Sequence, residues 1–402
     1  MKVSAALVLL AAAAHAAALP GFRVQRLGST NGFADSIAID SHDTIYYTTT
    51  DGSLFRFSNG ASQLVTRVNT NAVGDSGLLG MALLDDQTAV VHYTNATMTA
   101  DVVSTIDLAN GMQTVLHSFT CDITMPDRPC PTEHHGGNPS VGADGSIFVG
   151  IGDYGGFLDA ALPEWNGGKI FRITSAGSVQ QFASGFRNPF DTAWDASSQQ
   201  LIVPDNGDVS DDEINIVHLG DFCGWPYTMG NQPPVDGAVP PIYTFPSVVV
   251  PTGLAALNGH NAYFPGGYLL ATFVAQALDY IPDISARPLP DPIPVIAGLT
   301  PSIIDVAQGP AGEIDFVTAE GIYELIPPLR GDCNGDGLVT IADIAALAQE
   351  LLDGNPEPAT SAQAGAFNGS WGCDVNADGI IDSRDMSALL ALLSVRTRAV
   401  RP

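Results

Sequence analysis

Lysine is nearly absent from this sequence of 402 residues. Only Lys2 and Lys169 carry an ammonium group, and 15 basic residues face 43 acidic ones, which gives a formal net charge of −28. A surface so rich in carboxylates repels nucleic acid and anionic membranes, so we expect neither as a partner. The same surface suits calcium ions and neutral ligands such as sugars.

Long hydrophobic runs are also missing after the amino-terminal segment. That segment, "MKVSAALVLLAAAAHAAALP", has one lysine, an apolar core and the small-x-small pattern Ala14-His15-Ala16, which together are typical of a secretory signal peptide. A membrane anchor is the alternative, but no later run of about 18 apolar residues supports it. We therefore expect residues 1–18 to be a signal peptide and the mature protein to be secreted and extracellular.

Cysteines are few, and in an oxidising compartment pairing is their default state. Cys121 and Cys130 bracket a loop that contains proline, so we expect them to form a disulfide. Cys333 and Cys373 occupy nearly equivalent places in two similar segments and are a second candidate pair. Cys223 is then left over, and we interpret it as a buried thiol without a role as nucleophile.

Helical periodicity is nearly absent between residues 19 and 325, where short β-rich runs alternate with Gly, Asp, Asn and Pro. The starts of a recurring pattern lie roughly 40 to 60 residues apart, which is the period of propeller blades. Each copy has an apolar stretch, a turn and a second apolar strand. We predict an all-β fold, a six-bladed β-propeller, with a β-sandwich as the alternative. The six copies begin at Ser36, Leu78, Pro139, Phe190, Gly253 and Ser302.

The composition changes at "ELIPPLRGDCNGDG", where two consecutive prolines end the last strand. We therefore predict that the propeller covers residues 19–328 and that a small α-helical domain covers residues 329–402. The segments "IADIAALAQELL" and "MSALLALL" predict its two helices. The first helix places four apolar side chains on one face: Ile341, Ile344, Leu347 and Leu351.

Two twelve-residue segments of this tail, "DCNGDGLVTIAD" and "DVNADGIIDSRD", have the spacing of calcium-binding loops. Calcium binds six to eight hard oxygen atoms around a sharp turn, and both segments place oxygen side chains at positions 1, 3, 5 and 12 and Gly at position 6. Two acidic turns that bind no metal are the alternative. The predicted ligands of the first loop are Asp332, Asn334, Asp336, the Leu338 carbonyl, Thr340 and Asp343. Those of the second loop are Asp374, Asn376, Asp378, the Ile380 carbonyl, Asp382 and Asp385.

Two EF-hand-type loops, each followed by an exit helix and lacking an entry helix, resemble the type I dockerin repeat over about 60 residues. Position 12 is Asp in both loops. The resemblance implies that calcium folds the tail and that its exit helices dock onto a cohesin-like module or a polysaccharide-degrading assembly. Cys333 and Cys373 are additions to the dockerin pattern that could join the two loops.

Five motifs in the propeller occur in the order of a second family. They span about 150 residues and resemble the glucose/sorbosone dehydrogenase family, whose fold is a six-bladed propeller and whose members include soluble sugar dehydrogenases that use pyrroloquinoline quinone (PQQ). The resemblance implies an oxidoreductase that acts on a sugar or aldose. The motifs are "DSGLLGMAL" from Asp75, "EHHGGNPSVGADGSIFVGIGD" from Glu133, "GGKIFRI" from Gly167, "SGFRNPFDTAWD" from Ser184 and "DNGDVSDDEINIVHLGDFCGWP" from Asp205.

Oxidation of a sugar at its anomeric carbon removes a hydroxyl proton and a hydride, so a base with a pKa near neutrality must face the hydroxyl. By resemblance this base is His134, with Asp153 beside it, and Arg187 and Asn188 face the quinone and the substrate. A histidine that only holds a loop is the alternative. The resemblance further places Asp75, Asn206 and the carbonyls of Gly207 and Asp208 at the cofactor and its calcium, and Asp212 and Glu213 at a second calcium.

The sequence departs from this family where PQQ, which carries three carboxylates, needs cationic partners. Residues 221–328 contain no lysine and one arginine, Arg287, and an approximate alignment puts Ala275, Ile303 and Ile304 at basic positions of the family. Each missing charge-assisted hydrogen bond costs about 1.5–3 kcal/mol. A cofactor-free propeller that binds glycan or protein without catalysis is therefore the alternative function. A glycoside hydrolase is a third alternative, but no carboxylate pair at an informative spacing supports it.

Overall fold

Six separate antiparallel sheets form the main body of the computed structural model, and a small helical tail follows them. The all-β six-bladed propeller is thereby confirmed, and the β-sandwich alternative is wrong. No helix in the described part of the chain is long and apolar enough to cross a membrane. The predicted signal peptide lies almost entirely outside the described residues. The structure describes residues 17–18, 22–174, 177–261, 263–353, 357–358, 371–376 and 380–399.

Each blade is a sheet whose neighbouring strands follow one another in the chain. Blade 1 contains the strands Ala34–Ile39, Ile45–Thr49, Ser53–Ser58 and Ala61–Arg67. Blade 2 contains Leu78–Asp85, Thr88–Thr94, Ala100–Asp107 and Gln113–Thr120. Blade 3 contains Ser140–Val141, Ile147–Ile151, Lys169–Ile173 and Val179–Ser184. Blade 4 contains Ala193–Asp195, Gln200–Asp205, Glu213–Val217 and Tyr243–Thr244. Blade 5 contains Pro251–Ala256, Tyr268–Thr272, Ala277–Ile281 and Ile293–Ala297. Blade 6 contains Ile303–Gln308, Ile314–Thr318 and Gly321–Ile326.

The sixth blade is completed by a strand from the other end of the propeller. Arg23–Ser29 pairs antiparallel with Gly321–Ile326, in a register that runs from Arg23 opposite Ile326 to Ser29 opposite Gly321. A two-residue strand, Ala17–Ala18, is added to the outer edge of blade 5. The first and last segments of the propeller therefore meet in one sheet, and this pairing closes the ring of blades.

Apolar side chains fill the spaces between adjacent blades. Six clusters of buried residues each draw members from two neighbouring blades. Between blades 1 and 6, for example, Tyr47 and Phe55 pack with Val317 and Ile322. A single blade exposes two faces and cannot bury both of them alone, so the ring as a whole supplies the core.

Within its described residues, the tail contains two α-helices, Ala342–Glu350 and Ser383–Ala399, and the short 3-10 turns Leu351–Asp353 and Trp371–Cys373. The strands Glu357–Pro358 and Ile380–Ile381 pair beside them. The second helix is longer than its predicted core in both directions. Ile341, which we placed on the buried face of the first helix, is 80% exposed because it precedes the helix as its N-cap residue.

Both predicted disulfides are present. Cys121 pairs with Cys130, and Cys333 pairs with Cys373. The second bond lies in the middle of the tail's core, where both sulfur-bearing residues pack with Leu347 and Leu389. Cys223 is a free, buried thiol, as predicted, and burial raises its pKa.

Candidate active site

The candidate site lies at one axial end of the propeller, beside blades 3 and 4. His134 belongs to the loop that precedes the innermost strand of blade 3, and Asp153 follows the second strand of that blade. Arg187 and Asn188 precede the innermost strand of blade 4, and Asn206 follows its second strand. Because adjacent strands in a blade are antiparallel, these two kinds of loop emerge at the same end of the propeller.

A short hydrogen bond joins His134 to Asp153. The Nδ1 atom of His134 lies 2.6 Å from Oδ1 of Asp153, and their side chains are 15% and 2% exposed. The backbone of His134 has a positive φ of 54°, and its carbonyl oxygen accepts a bond of 3.2 Å from the Tyr154 amide. A Cβ atom at Gly152 would lie 2.3 Å from that carbonyl oxygen, so only glycine allows the two loops to approach this closely.

Asp153 is itself held by two further donors. The indole Nε1 of Trp225 donates to its Oδ2 atom at 3.0 Å, and the amide of Gly155 donates to its Oδ1 atom at 2.8 Å. The carboxylate therefore faces Nδ1 of His134 in a fixed orientation, and Nε2 is the nitrogen left for an external partner. A histidine held by a carboxylate in this way is chemically able to accept a proton at Nε2.

The adjacent histidine, His135, has an entirely different environment. Its Nδ1 atom lies 3.0 Å from both carboxylate oxygens of Asp101, and its Nε2 atom lies 2.8 Å from the Pro131 carbonyl oxygen. Burial lowers the pKa of His135, but Asp101 and the Pro131 carbonyl outweigh burial and raise this pKa above its usual value. Both ring nitrogens of His135 face acceptor oxygens, and these bonds fasten the loop in which His134 sits.

Arg187 and Asn188 are anchored by one buried carboxylate. The amides of Arg187 and Asn188 donate to the two oxygens of Asp205, at 2.8 and 2.7 Å. The side-chain oxygen of Asn188 accepts a bond of 3.1 Å from the Gly136 amide, which connects blade 4 to the histidine loop. Burial and the nearby Glu213 raise the pKa of Asp205.

The guanidinium group of Arg187 is already engaged. Its Nη1 atom donates to the carbonyl oxygens of Asn206 and Gly207, at 3.2 and 2.8 Å, and its Nη2 atom lies 3.7 Å from Asp208. The group also lies 5.9 Å from the centre of the Trp225 ring. Trp225 therefore contacts both Asp153 and Arg187, so the structure brings the four predicted catalytic residues into one connected network.

Of the predicted cofactor positions, Asp75 lies beside His134, whereas Asn206, Gly207 and Asp208 lie beside Arg187. Asp75 accepts a bond of 3.2 Å from the His134 amide. The side-chain oxygen of Asn206 is buried and has no hydrogen-bond partner within the described residues. Of the two carbonyl groups predicted to bind calcium, the Gly207 oxygen is occupied by Arg187, so a calcium ion there requires Arg187 to move away.

Asp212 and Glu213, the second predicted calcium position, both bind backbone amides. Asp212 accepts bonds from Gly207, Val249 and Val250, at 2.7 to 2.8 Å. Glu213 accepts a bond of 3.0 Å from the Asn215 side chain and one of 2.7 Å from the Gly230 amide. Burial raises the pKa of Glu213 to about 7, although these two bonds lower it. The pair links the blade 4 loop to neighbouring segments.

Apolar residues occupy the positions that the approximate alignment assigns to cations of the family. Ala275 lies in the turn between the second and third strands of blade 5, at the same end as His134, and its neighbours Phe273 and Val274 are 38% and 55% exposed. Ile303 and Ile304 are buried in blade 6. Arg287 lies between the third and fourth strands, at the opposite end, and donates to the carbonyls of Ile284 and Ala286.

The two tail loops have matching internal hydrogen bonds. In the first, Asp343 accepts bonds from the amides of Cys333, Asn334 and Thr340. In the second, Asp385 accepts bonds from the equivalent amides of Val375, Asn376 and Asp382. Asp378 lies outside the described residues. Across the part of the chain that the structure describes, no three His, Cys, Asp or Glu side chains converge closely enough to hold a metal ion.

Trp225 and Phe157 were not predicted as site residues. Trp225 stands in the quoted motif "GWP", which was the available signal, but its bond to Asp153 joins positions 72 residues apart. Phe157 is 49% exposed and contacts the Trp225 ring edge-on, with ring centres 4.8 Å apart. An exposed aromatic ring beside the His134–Asp153 pair offers a surface on which a sugar can pack.

Comparison with known families agrees with both resemblances. Residues 36–326 match the family described as glucose/sorbosone dehydrogenase, and residues 330–394 match the type I dockerin domain. Quinoprotein glucose dehydrogenase B of Acinetobacter calcoaceticus is 26% identical over 208 residues, which cover 41% of this chain and 43% of that relative. The chain thus spans less than half the length of this curated relative.

Solved structures of sugar dehydrogenases have the same fold. The PQQ-bound aldose sugar dehydrogenase of Streptomyces coelicolor has a TM-score of 0.65 and 22% identity, covering 77% of this chain and 99% of its own. The apo form of the soluble aldose sugar dehydrogenase of Escherichia coli has a TM-score of 0.63 and 18% identity, covering 76% and 99%. At this level of identity the likeness establishes the propeller fold.

Proposed function

Because the chain belongs to the glucose/sorbosone dehydrogenase family, we propose that its propeller oxidises a hydroxyl group of a sugar, with His134 as the general base. The observation that carries this proposal is the bond of 2.6 Å between His134 and Asp153, in a pair where only the histidine reaches solvent. A buried carboxylate that orients a partly exposed imidazole is the arrangement that a proton-accepting site requires.

The proton transfer follows from the hydrogen bonds of this pair. Asp153 keeps a proton on Nδ1 of His134, so the lone pair of Nε2 is available to a substrate hydroxyl. As Nε2 accepts the hydroxyl proton, the imidazole becomes positively charged, and the Asp153 carboxylate stabilises that charge. Trp225 and Gly155 keep the carboxylate in place, and Phe157 packs edge-on against the Trp225 ring.

PQQ would supply the acceptor for the hydride when bound. The base side of the site fits this chemistry, but the described residues do not fit three carboxylates, because Arg187 is engaged with two carbonyls and blade 5 presents Phe273 and Val274 instead of cations. We therefore derive no step through PQQ. Asn206, with its unpartnered side-chain oxygen, remains the buried polar group next to Arg187 that is free to bind a ligand.

The decisive experiment adds PQQ and calcium to the full-length protein and follows dye reduction with a panel of aldoses. Turnover that His134→Ala removes, and that His42→Ala at an exposed histidine paired with Asp86 leaves intact, supports oxidation with His134 as the base. Absence of PQQ uptake at micromolar concentration, together with sugar binding, supports the second candidate function, a propeller that binds glycan without catalysis. The engaged state of Arg187 is the observation that favours this second candidate.

For the tail we propose calcium binding and docking to a cohesin-like module of a polysaccharide-degrading assembly, outside the cell. The match to the type I dockerin domain and the repeated hydrogen-bond pattern of the two loops support this proposal. Three apolar side chains of the first loop and helix region, Leu338, Ile341 and Leu352, are 62%, 80% and 83% exposed, as expected of a surface that a partner covers. Pull-down with a cohesin panel, with and without calcium, tests it.

A further inference from the structure

The central channel of the propeller contains a cavity of about 310 Å³, in the half that lies away from His134. This volume is at the lower end of the range of small-molecule binding sites, roughly 300–1,000 Å³. All six innermost strands, or the residues just before them, line the cavity. Because each innermost strand starts at the His134 end, lining residues near its start mark the inner end of the cavity, and those near its finish mark the mouth.

Most of the side chains along the wall of this cavity are apolar. The polar ones along the wall are Ser140 and Thr192, whose hydroxyl oxygens lie 2.9 Å apart, and Gln308 at the mouth. A ligand in the channel therefore meets mainly hydrocarbon between the mouth and the inner end. The apolar wall residues nearest the mouth are Ile39, Leu83, Val141 and Ala256.

Asp191 is one of two carboxylates at the inner end of the cavity, and its donors among the described residues are neutral. The amides of Thr192 and Leu254 donate to its two oxygen atoms, each at 2.6 Å. Nδ2 of Asn138, which also lines the inner end, lies 3.4 Å from Oδ2 of Asp191. The Oδ1 atom of Asn138 is buried and has no hydrogen-bond partner in the described part of the chain. Burial and the nearby Asp305 raise the pKa of Asp191.

Asp305 is the second carboxylate at the inner end, and it accepts bonds from the amides of Ile37 and Val306, at 2.9 and 2.8 Å. Asp35, two residues before Ile37, is also buried, and its Oδ2 atom has no partner among the described residues. Within that part of the chain, no Lys, Arg or His forms an ion pair with Asp191, Asp305 or Asp35. A buried carboxylate without an opposite charge is costly, so the inner end of the cavity favours a cation.

An organic ammonium ion suits this cavity better than a metal ion does. Calcium requires six to eight oxygen ligands, but the sides of the cavity are apolar, and no three acidic, His or Cys side chains of the described residues converge to hold a metal. An ammonium group has three N–H donors, and the carboxylates of Asp191 and Asp305 retain unused lone pairs. Hydrocarbon attached to the ammonium group would lie against the apolar wall.

We propose that the channel cavity binds a small primary ammonium ion with an apolar body. Its ammonium group lies between Asp191 and Asp305, and its hydrocarbon chain points towards the mouth. This site is distinct from the His134–Asp153 pair, and it stands whether or not the propeller oxidises sugars. Anions are rejected by the two carboxylates, and a neutral alcohol of the same length forms hydrogen bonds there without the charge assistance.

The test compares n-hexylammonium, n-hexanol and hexanoate by calorimetry on the full-length protein in the presence of calcium. We expect n-hexylammonium to bind at a single site, at least about tenfold more tightly than n-hexanol, and hexanoate not to bind. Asp191→Asn and Asp305→Asn remove one charge each and should each weaken n-hexylammonium binding at least about tenfold. Asp236→Asn, at an exposed position, is the matched control and should leave the affinity unchanged.

A second pair of variants tests the location without altering any charge. Ala82 lines the cavity on blade 2, so leucine at this position narrows the channel. Ala82→Leu should weaken n-hexylammonium binding at least about tenfold, because the hydrocarbon chain then meets an occupied space. Ala109→Leu, at an exposed turn of the same blade, is its matched control. If the two asparagine variants fail to fold, this alanine pair still decides the proposal.

Equal affinity for n-hexylammonium and n-hexanol, or an affinity that Ala82→Leu leaves unchanged, overturns the channel site. The protein has a net charge of −28, so amines also collect at its surface, and salt screens such binding. We expect binding in the channel to persist at high sodium chloride concentration, and its loss there overturns the proposal. Displacement of n-hexylammonium by added calcium assigns the carboxylates to a metal ion and also overturns it.

Discussion

The propeller and the tail use the same side chain, aspartate, in two different ways. In the propeller, buried aspartates connect separate blades: Asp191 accepts bonds from the amides of Thr192 and Leu254, and Asp305 accepts bonds from Val306 and Ile37. In the tail, aspartates shape the loop in which they lie, as Asp343 does. The same hydrogen-bonding group therefore joins distant strands in one region and fixes the shape of a single loop in the other.

The environments of these carboxylates differ accordingly. The propeller aspartates are buried, and burial raises the pKa of Asp305 to about 7 and that of Asp315 to about 8. In the tail, burial and the nearby Asp343 and Asp336 raise the pKa of Asp332, against the bonds from Gly337 and Asp336. Carboxylates gathered in one short loop repel one another, and a bound cation removes that repulsion.

The largest expected effect is the loss of the unfolding transition of the tail, without a change in that of the propeller. Removal of calcium by excess EDTA should abolish the calorimetric transition of the tail, because metal-binding free energy is folding free energy in such small domains. Asp332→Ala and Asp374→Ala should each remove one calcium from the binding stoichiometry. The propeller transition should stay unchanged. A tail that melts at the same temperature with and without EDTA contradicts the proposed calcium sites.

The second effect concerns the propeller. Asp191→Ala leaves the buried amides of Thr192 and Leu254 without their acceptor, and each such donor costs about 1–3 kcal/mol. Chemical denaturation should show this loss in the propeller transition and no change in the tail. Asp236→Ala, at an exposed position, is the matched control. Loss of stability equal to that of the control would mean that Asp191 does not join the blades.

The third expected effect is a difference in how much each of the two disulfides stabilises the protein. The Cys333–Cys373 bond joins residues 40 positions apart, whereas the Cys121–Cys130 bond spans 9. The longer loop loses more conformational entropy on closure, so replacing both tail cysteines by serine should destabilise the tail by about 2–4 kcal/mol. The corresponding replacement of Cys121 and Cys130, in the loop between blades 2 and 3, should have a smaller effect on the propeller. Thermal melting of the two double variants decides the order.

The smallest effect is a difference in pH dependence. Burial raises the pKa of Asp279 to about 7, against a bond from Thr272 that lowers it. The folded propeller therefore binds a proton that the unfolded chain has released, so the stabilising contribution of Asp279 is full in acid and is lost as pH rises to about 7. Asp279→Asn removes this dependence.

Melting of wild type and Asp279→Asn between acidic and neutral pH should show that the wild-type propeller loses stability relative to the variant. The tail should behave in the opposite way, since acid protonates calcium ligands and releases the ion. A pH-independent difference between the two proteins would show that Asp279 titrates normally.

The fold was predictable because its signals are local. Each innermost strand and its neighbour form a short alternating pattern around a turn, as at Ser36 and Ser302, and such a pattern is visible within about 15 residues. The completion of blade 6 was not predictable, because Arg23–Ser29 contains no feature that identifies Gly321–Ile326 as its partner. Ile341 was misplaced because the apolar spacing continues one position beyond the start of the helix.

The residues that form the candidate site were predictable from the sequence, but the contacts that join them were not. The family resemblance pointed to His134 and Asp153, and the structure joins their side chains. The role of Trp225 as a donor to Asp153 depends on how blades 3 and 4 meet, and the sequence alone does not describe that contact. Arg187 donates to the Gly207 carbonyl because of the direction in which its side chain points, and the order of residues does not show that direction.

The pairing of Arg23–Ser29 with Gly321–Ile326 has a consequence for how the chain matures. During synthesis the strand Arg23–Ser29 remains unpaired until almost the whole propeller has left the ribosome. Ring closure is therefore among the last steps of propeller assembly, and it coincides with the appearance of the tail. A shortened chain that ends before Gly321 would keep an open sheet edge, which is a site for aggregation.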